Sequence, residues 1–385
     1  MAASIQIPFP TLTQKADDST TVTSECVVDG VTYPLYFTVS SGPVAHSVEP
    51  FLCTCLPSAM KLRADIQVEG CVSPRLLKGI ARIQQIFSEW YPEYQPVRIH
   101  VTPPAGGMPT TNDLPQKRGA ACFFSGGVDS FYSTLKYLDE IDTVLLIHGF
   151  DIDLDADELW QMVSGELRKA AAALGKKLIE IETNMRGLTE PYAHWGYQQH
   201  GAALASVAIL LSAQLSRVYI PSSYTFDQLF PWGSHPDLDP LWSTEEVALV
   251  HDGCESTRVK KVEAIARSEV AMKHLRVCWE NRGSAYNCGL CEKCLRTLVN
   301  LRVVGAEGRC QTFDRRLNLW MLAKTPILAH GTEVFLQENL DELRARGAND
   351  PALEKALVSA LTGRYYRGVW KMARQAWWKL KHSLH

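Results

Sequence analysis

The strongest constraint on the fold of this 385-residue chain is one join. The apolar run Gly119-Ala120-Ala121-Cys122-Phe123-Phe124 meets a helical repeat at 131–138 through Ser125-Gly126-Gly127-Val128-Asp129-Ser130. A short run of small apolar residues reads as a buried strand, and apolar residues at spacings of three and four read as a helix. Adjacent glycines let a backbone approach an anion closely. The helix start beyond them offers unpaired N–H groups and partial positive charge. Ser125 and Ser130 add hydroxyl donors, and Asp129 suits either a helix cap or a magnesium ligand. The string lacks the Gly-x-x-x-x-Gly-Lys-Ser/Thr spacing of the Walker-type loop. The plain alternative is a Gly-Gly turn with no ligand.

From 119 onward the pattern alternates, with strands expected at 119–124, 143–148, 177–182 and 217–221 and helices at 130–139, 156–174 and 197–215. Alternation at these lengths predicts an α/β fold, a parallel sheet with helices on both faces. Ligands in such sheets sit beyond the carboxyl ends of the strands, where the Ser125–Ser130 loop falls. His148, Asp151 and Asp153 also follow a strand end; they line the same crevice or form a solvated loop. The aromatic stretch 221–244 is either a lid or binding segment or an excursion packed by its own side chains.

Residues 1–115 read as a separate small α+β domain. Strands at 21–28 and 31–39 flank Asp29-Gly30, a two-residue hairpin signal. A strand near 64–68, a helix opened by Ser73-Pro74 and a strand at 97–101 complete it. The Pro-, Gly- and Thr-rich stretch 102–118 reads as a linker. A core of 116–308 and a helical region of 309–385 follow, with helices expected at 313–323, 334–346, 351–361 and from 364 onward.

Composition excludes more than it selects. Hydrophobic content of 46%, charged content of 21% and a net charge of −3 are those of an ordinary globular chain with no drive toward nucleic acid. The N-terminus has no basic region followed by an apolar core, so no secretory signal is expected. The stretch 201–215 contains Ser206, Ser212 and Gln214 and is too short and polar to span a membrane. Eleven cysteines without such a signal point to a reducing, cytoplasmic setting. Scattered ones, such as Cys26, Cys71 and Cys310, are expected to be small buried apolar residues. The C-terminal segment carries Arg364, Arg367, Lys371, Arg374, Lys379 and Lys381 beside Trp370, Trp377 and Trp378. It packs on the body, docks on a protein partner, or lies on a membrane surface.

Cys278, Cys288, Cys291 and Cys294 cluster in one short segment. Four thiolates at such spacing suit one tetrahedral zinc of structural role, with Gly289 helping the backbone curl. An iron–sulfur cluster is the competing reading, because successive two-residue spacings also occur there.

The Ser125–Ser130 string matches the SGGxDS signature of the PP-loop ATP pyrophosphatases. Together with the cysteine cluster and the following Leu295-Arg296, it resembles the 7-cyano-7-deazaguanine synthase family over 119–305. Ser234-His235-Pro236-Asp237 looks like that family's Ser-Gly-Tyr-Pro-Asp segment, and Thr257-Arg258 like its Asn-Lys helix start. Gln199-His200-Gly201 stands where the family has Gly-Arg-Asn, and the chain is longer than such synthases at both ends. The resemblance implies ATP cleavage between the α- and β-phosphates to activate a carboxylate on a 7-deazaguanine. Amide or nitrile formation with ammonia would follow. It implies that Ser125, Gly126, Gly127, Val128, Asp129 and Ser130 bind ATP, with Asp129 and Ser130 taking part in catalysis alongside magnesium. The four cysteines would hold zinc. His235 and His200 are general-base candidates by residue type alone. Three alternatives stand beside this: a ligase joining the activated acid to a protein or other amine; an RNA sulfur transferase using a cysteine such as Cys254; and an ATP-binding sensor without turnover. The N-terminal region or the C-terminal helix would carry any protein partner.

Overall fold

The computed structural model describes residues 4–103, 118–282, 285–325, 327, 330–347, 349–363, 372, 373 and 377. They fall into two compact units. The first comprises Met1–Ser125, Ser133–Ser222 and Leu229–Gly253, and the second Gly126–Tyr132, Ser223–Gln228 and Cys254–His385.

The first unit is α/β, built on one eleven-stranded mixed sheet. Its strands are β1 (Ser4–Ile7), β2 (Thr11–Gln14), β3 (Thr20–Val28), β4 (Val31–Val39), β5 (Asp65–Glu69), β6 (Ile99–Thr102), β7 (Gly119–Phe123), β8 (Ile141–His148), β9 (Lys177–Thr183), β10 (Leu215–Pro221) and β11 (Ala248–Asp252). They lie in the order β11-β10-β7-β8-β9-β4-β3-β1-β5-β6, with β2 paired to β3. The five strands β7 to β11 run parallel. At β9 the sheet turns antiparallel through β4, β3 and β1, then parallel again through β5 and β6. Burial explains the two halves. β8 is buried at Val144, Leu145 and Leu146 in succession, as a strand covered on both faces must be. β4 instead alternates, burying Leu35, Phe37 and Val39.

Flanking this sheet are α1 (Glu49–Leu62), α2 (Pro74–Trp90), α3 (Val128–Lys136), α4 (Asp157–Ala173), α5 (Met185–Thr189) and α6 (His200–Leu210), the first turn of α3 belonging to the second unit. Ser73 caps α2 as its sequence predicts, its hydroxyl accepting the Leu76 N–H at 3.0 Å. The hairpin joins β3 to β4 with Val28 opposite Val31 across Asp29-Gly30, also as expected. The boundary drawn near 115 has no counterpart in the sheet. β4 pairs with β9 through Phe37 opposite Thr183 and Val39 opposite Ile181, so the N-terminal strands extend the parallel array. Most of the expected linker, 104–117, lies outside the described residues.

Several elements of this unit, α5 among them, have no clear sequence signal. β1, β2 and β11 are only four or five residues long. α1 contains Pro57 and is buried on every side from Pro50 to Met60, so it shows no amphipathic period. It packs on α6, itself buried all along Gly201–Leu210, with Thr54 Oγ1 and Ser206 Oγ 2.9 Å apart.

The second unit is helical: α7 (Arg258–Ile265), α8 (Glu269–His274), α9 (Glu292–Val303), α10 (Leu319–Ala323), α11 (His330–Ala345) and α12 (Pro351–Thr362). Val259, Val299, Leu322, Leu336, Leu340 and Leu357 form its core. The helix expected at 313–323 is confined to α10, because Asn318 Oδ1 accepts the N–H groups of Trp320 and Met321 and starts the helix there. The basic aromatic segment from 364 lies outside the described residues, apart from Met372, Ala373 and Trp377. Among the described residues no helix is long and apolar enough to cross a membrane.

Candidate functional site

All four clustered cysteines are buried, and their sulfur atoms lie within 4.8 Å of one another. The Cys288–Cys294 and Cys278–Cys291 sulfur pairs are each 3.9 Å apart. Four ligands about 2.3 Å from a tetrahedral zinc stand about 3.8 Å from each other, so the spacing fits one ion. An iron–sulfur cluster divides the four thiolates between two or more irons and so spreads the sulfurs wider than a single ion does. The local sequence dictates this shape. Cys288 Sγ accepts the N–H groups of Leu290 at 3.4 Å and Cys291 at 3.2 Å, and Cys291 Sγ accepts that of Cys294 at 3.4 Å. Gly289 makes the tight turn with φ of 66°. Asn287 joins the two arms, its Oδ1 accepting the N–H of Val277 at 2.9 Å and of Cys278 at 3.2 Å. As bare thiols the group is in conflict: contacts with Cys291 and Cys294 push the Cys278 thiol far down, while contact with Cys278 pushes Cys294 far up. A bound cation would favour all four as thiolates.

Of the remaining cysteines, Cys26, Cys53, Cys55, Cys122, Cys254 and Cys310 are buried, whereas Cys71 is exposed, against expectation.

The glycine loop is held from the same segment. Gly126, at φ of 75°, takes a conformation that side chains disfavour, and its carbonyl accepts the Arg276 N–H at 2.8 Å, two residues before Cys278. Ser130 is buried and turned inward, its hydroxyl donating to Gly127 O at 3.0 Å. Ser125 is exposed. Asp129 is the loop's charged centre. Its carboxylate meets Arg258 Nη2 at 2.9 Å and Lys261 Nζ at 3.4 Å, and accepts the Ser223 hydroxyl at 3.0 Å. Burial pushes its pKa up, but Arg258, Lys261 and Ser223 outweigh that and hold it below the usual carboxylate value. The Asp129 carboxylate is therefore engaged by two cations, not by a helix cap.

Those cations come from helices brought in from far along the chain. Thr257 caps α7, its hydroxyl accepting the Lys260 N–H at 3.3 Å, which places Arg258 and Lys261 on the first turns. Lys261 is wholly buried, and burial pushes its ammonium pKa down. Arg296 stands on α9, two residues beyond Cys294. Burial likewise lowers its pKa, and Glu292 opposes this from 3.6 Å. Phe335 of α11 lies beneath both guanidinium groups, 4.0 Å from that of Arg296 and 5.2 Å from that of Arg258, and stacks on Tyr224 at 5.5 Å. Two buried cations thus share Asp129, and the buried Nε of Arg258 has no hydrogen-bond partner. Such a donor set accommodates an anion. Lys261, Ser223 and Arg276 carry no motif of their own; spacing from Arg258 and Cys278 is the only signal for two of them.

Other expected candidates have structural employment. His148 stacks on Trp160 at 4.3 Å, and its ring nitrogens lie 3.2 Å from Glu182 and from Asp153 O. Asp151 and Asp153 are exposed. His235 Nδ1 accepts the Asp237 N–H at 3.1 Å, its ring meets Trp90 edge-on at 4.9 Å, and burial lowers its pKa. His200 begins α6 with its ring 5.6 Å from Trp195. In the aromatic stretch, Phe230 packs on Trp232 at 5.5 Å, Trp242 is buried and Phe226 is exposed.

No family model matches the chain, no curated protein matches its sequence, and no solved structure matches its fold.

Proposed function

We propose that this protein is an AMP-forming enzyme of the PP-loop type. It would activate a carboxylate on a 7-deazaguanine-like substrate for amide or nitrile formation, with a structural zinc at Cys278, Cys288, Cys291 and Cys294. The observation that carries this reading is the buried Arg258 Nε without an acceptor, beside a glycine loop at a helix start. On this reading the N–H groups of Gly126 to Ser130 hold phosphate oxygens of ATP. Arg258, Lys261 and Arg296 offset the charge of departing pyrophosphate, in a site where buried cations act strongly. Asp129 orients Arg258 and Lys261, which with Ser223 occupy both its oxygens, so magnesium, which neutralises phosphate charge, would be held mainly by the ATP phosphates. A substrate carboxylate oxygen attacks the α-phosphorus, the bond to the β-phosphate oxygen breaks, and pyrophosphate leaves. Ammonia or an amine then attacks the acyl carbon and releases AMP.

The test is product analysis with ATP, magnesium, ammonium and 7-carboxy-7-deazaguanine. AMP and pyrophosphate form only with the acid present, and Arg258→Met slows the reaction by about 100-fold or more. Formation of ADP, or turnover unaffected by Arg258→Met, contradicts the reading.

A further inference from the structure

Helix α11 meets the charged site with Gly331, Phe335 and Glu338, whose spacings of four and three put them on one helix face. Glu338 reaches the start of α7. Its Oε1 accepts the Val259 N–H at 2.7 Å, one of the backbone donors that a helix start leaves open, and the Thr257 hydroxyl bonds it too. The adjacent Asn339 ties α11 to α9: Asn300 Nδ2 donates to its Oδ1 at 2.7 Å, and both residues are buried. Polar contacts about one turn from Phe335 therefore fix α7, α9 and α11 in register.

Phe335 is where the cations of α7 and α9 meet. Arg258 adjoins Val259, so α11 holds both its backbone and its guanidinium, which lies 5.2 Å from the Phe335 ring centroid. Arg296 precedes Asn300 by four residues, and its guanidinium lies 4.0 Å from the same centroid. Tyr224 stacks on that ring at 5.5 Å and packs its hydroxyl against Gly331, where a Cβ would come within 2.5 Å of the oxygen. The two guanidinium groups repel each other, and Arg258 is among the causes that lower the Arg296 pKa. Like charges on long side chains part when they can turn. A buried aromatic ring attracts both and opposes that. Cations held together before an anion arrives spare the binding step the cost of ordering them.

We propose that α11 is the positioning element of the charged site: Phe335 holds the guanidinium groups of Arg258 and Arg296 ready to act together on one multiply charged anion. Phe335 is a positioning residue, because it acts through the two arginines. Part of the C-terminal region thus belongs to the site itself. The inference rests on the anion-binding role given to these cations above, and not on the chemistry that follows. Its test contains no acid substrate and no turnover, so AMP formation by the wild type decides that reading separately.

Isothermal titration calorimetry of the full chain compares inorganic pyrophosphate with inorganic phosphate. Phe335→Leu weakens pyrophosphate binding about tenfold and phosphate binding about twofold or less. A packing defect alone would weaken both anions alike. NMR of the arginine Nε–H groups in the wild type keeps the test decisive if Phe335→Leu fails to fold: the Arg258 and Arg296 signals shift along one saturation curve as pyrophosphate is added. No pyrophosphate binding by the wild type, equal losses for the two anions in Phe335→Leu, or a response at only one of the two arginines overturns the proposal.

Discussion

The cysteine centre and the glycine-loop site lie in the same unit and pose opposite electrostatic problems. The first gathers four buried thiols that could hold a cation. The second gathers buried cations around one carboxylate and leaves a guanidinium nitrogen without an acceptor. They also differ in how they are built. The cysteines occupy a single stretch of seventeen residues, 278–294. The charged site draws Asp129, Ser223, Arg258, Lys261 and Arg296 from separate parts of the chain. The local centre supports the dispersed one: Arg276 holds Gly126 two residues before Cys278, and Arg296 follows Cys294 by two. A metal at the cysteines would therefore stiffen the segments that aim the cations.

Breaking the local centre should have the largest effect. Cys294→Ser is expected to cost about 5 kcal/mol or more in urea unfolding and to abolish stoichiometric metal binding. Elemental analysis of the wild type should find one zinc per chain. Iron with acid-labile sulfide would place a different centre there. Hydrogen exchange after chelation extends the comparison: protection should fall in α9 and also at the Arg276 amide, and unchanged protection at Arg276 would uncouple the two sites.

Next comes the charged site. Asp129→Ala strands Arg258 and Lys261 in a buried position and should cost about 3–5 kcal/mol, read by urea denaturation. Its pH dependence has a definite sign. The folded-state pKa of Asp129 lies below the unfolded value of about 3.9, so its contribution is complete above that value and disappears as pH falls through the lower one. The stability gap between wild type and Asp129→Asn should hold level from about pH 7 to pH 5 and close below about pH 4. A gap that widens on acidification would mean that Asp129 is not held by its cations. The smallest effect belongs to the turn: Gly126→Ala, at φ of 75°, should cost about 1–2 kcal/mol.

The same contrast decides what the sequence reveals. Continuous apolar runs such as β7 and β8, the periodic stripe of α2 and caps such as Ser73 are local chemistry and stand where the pattern puts them. The cysteine spacing is local too. The pairing of β4 with β9 joins residues far apart in sequence, so a composition change near 115 looked like a domain boundary where the sheet runs on. α1 was hidden by total burial, which erases periodicity. Lys261, Ser223 and Arg276 are unremarkable in sequence and gain meaning only by proximity to the loop.

The central claim is that a carboxylate oxygen attacks the α-phosphorus of ATP at this loop, and isotope tracing tests it most directly. With both carboxylate oxygens of 7-carboxy-7-deazaguanine replaced by ¹⁸O, mass spectrometry should find one ¹⁸O in each AMP formed and none in pyrophosphate. AMP without label, or label in inorganic phosphate, would contradict the account.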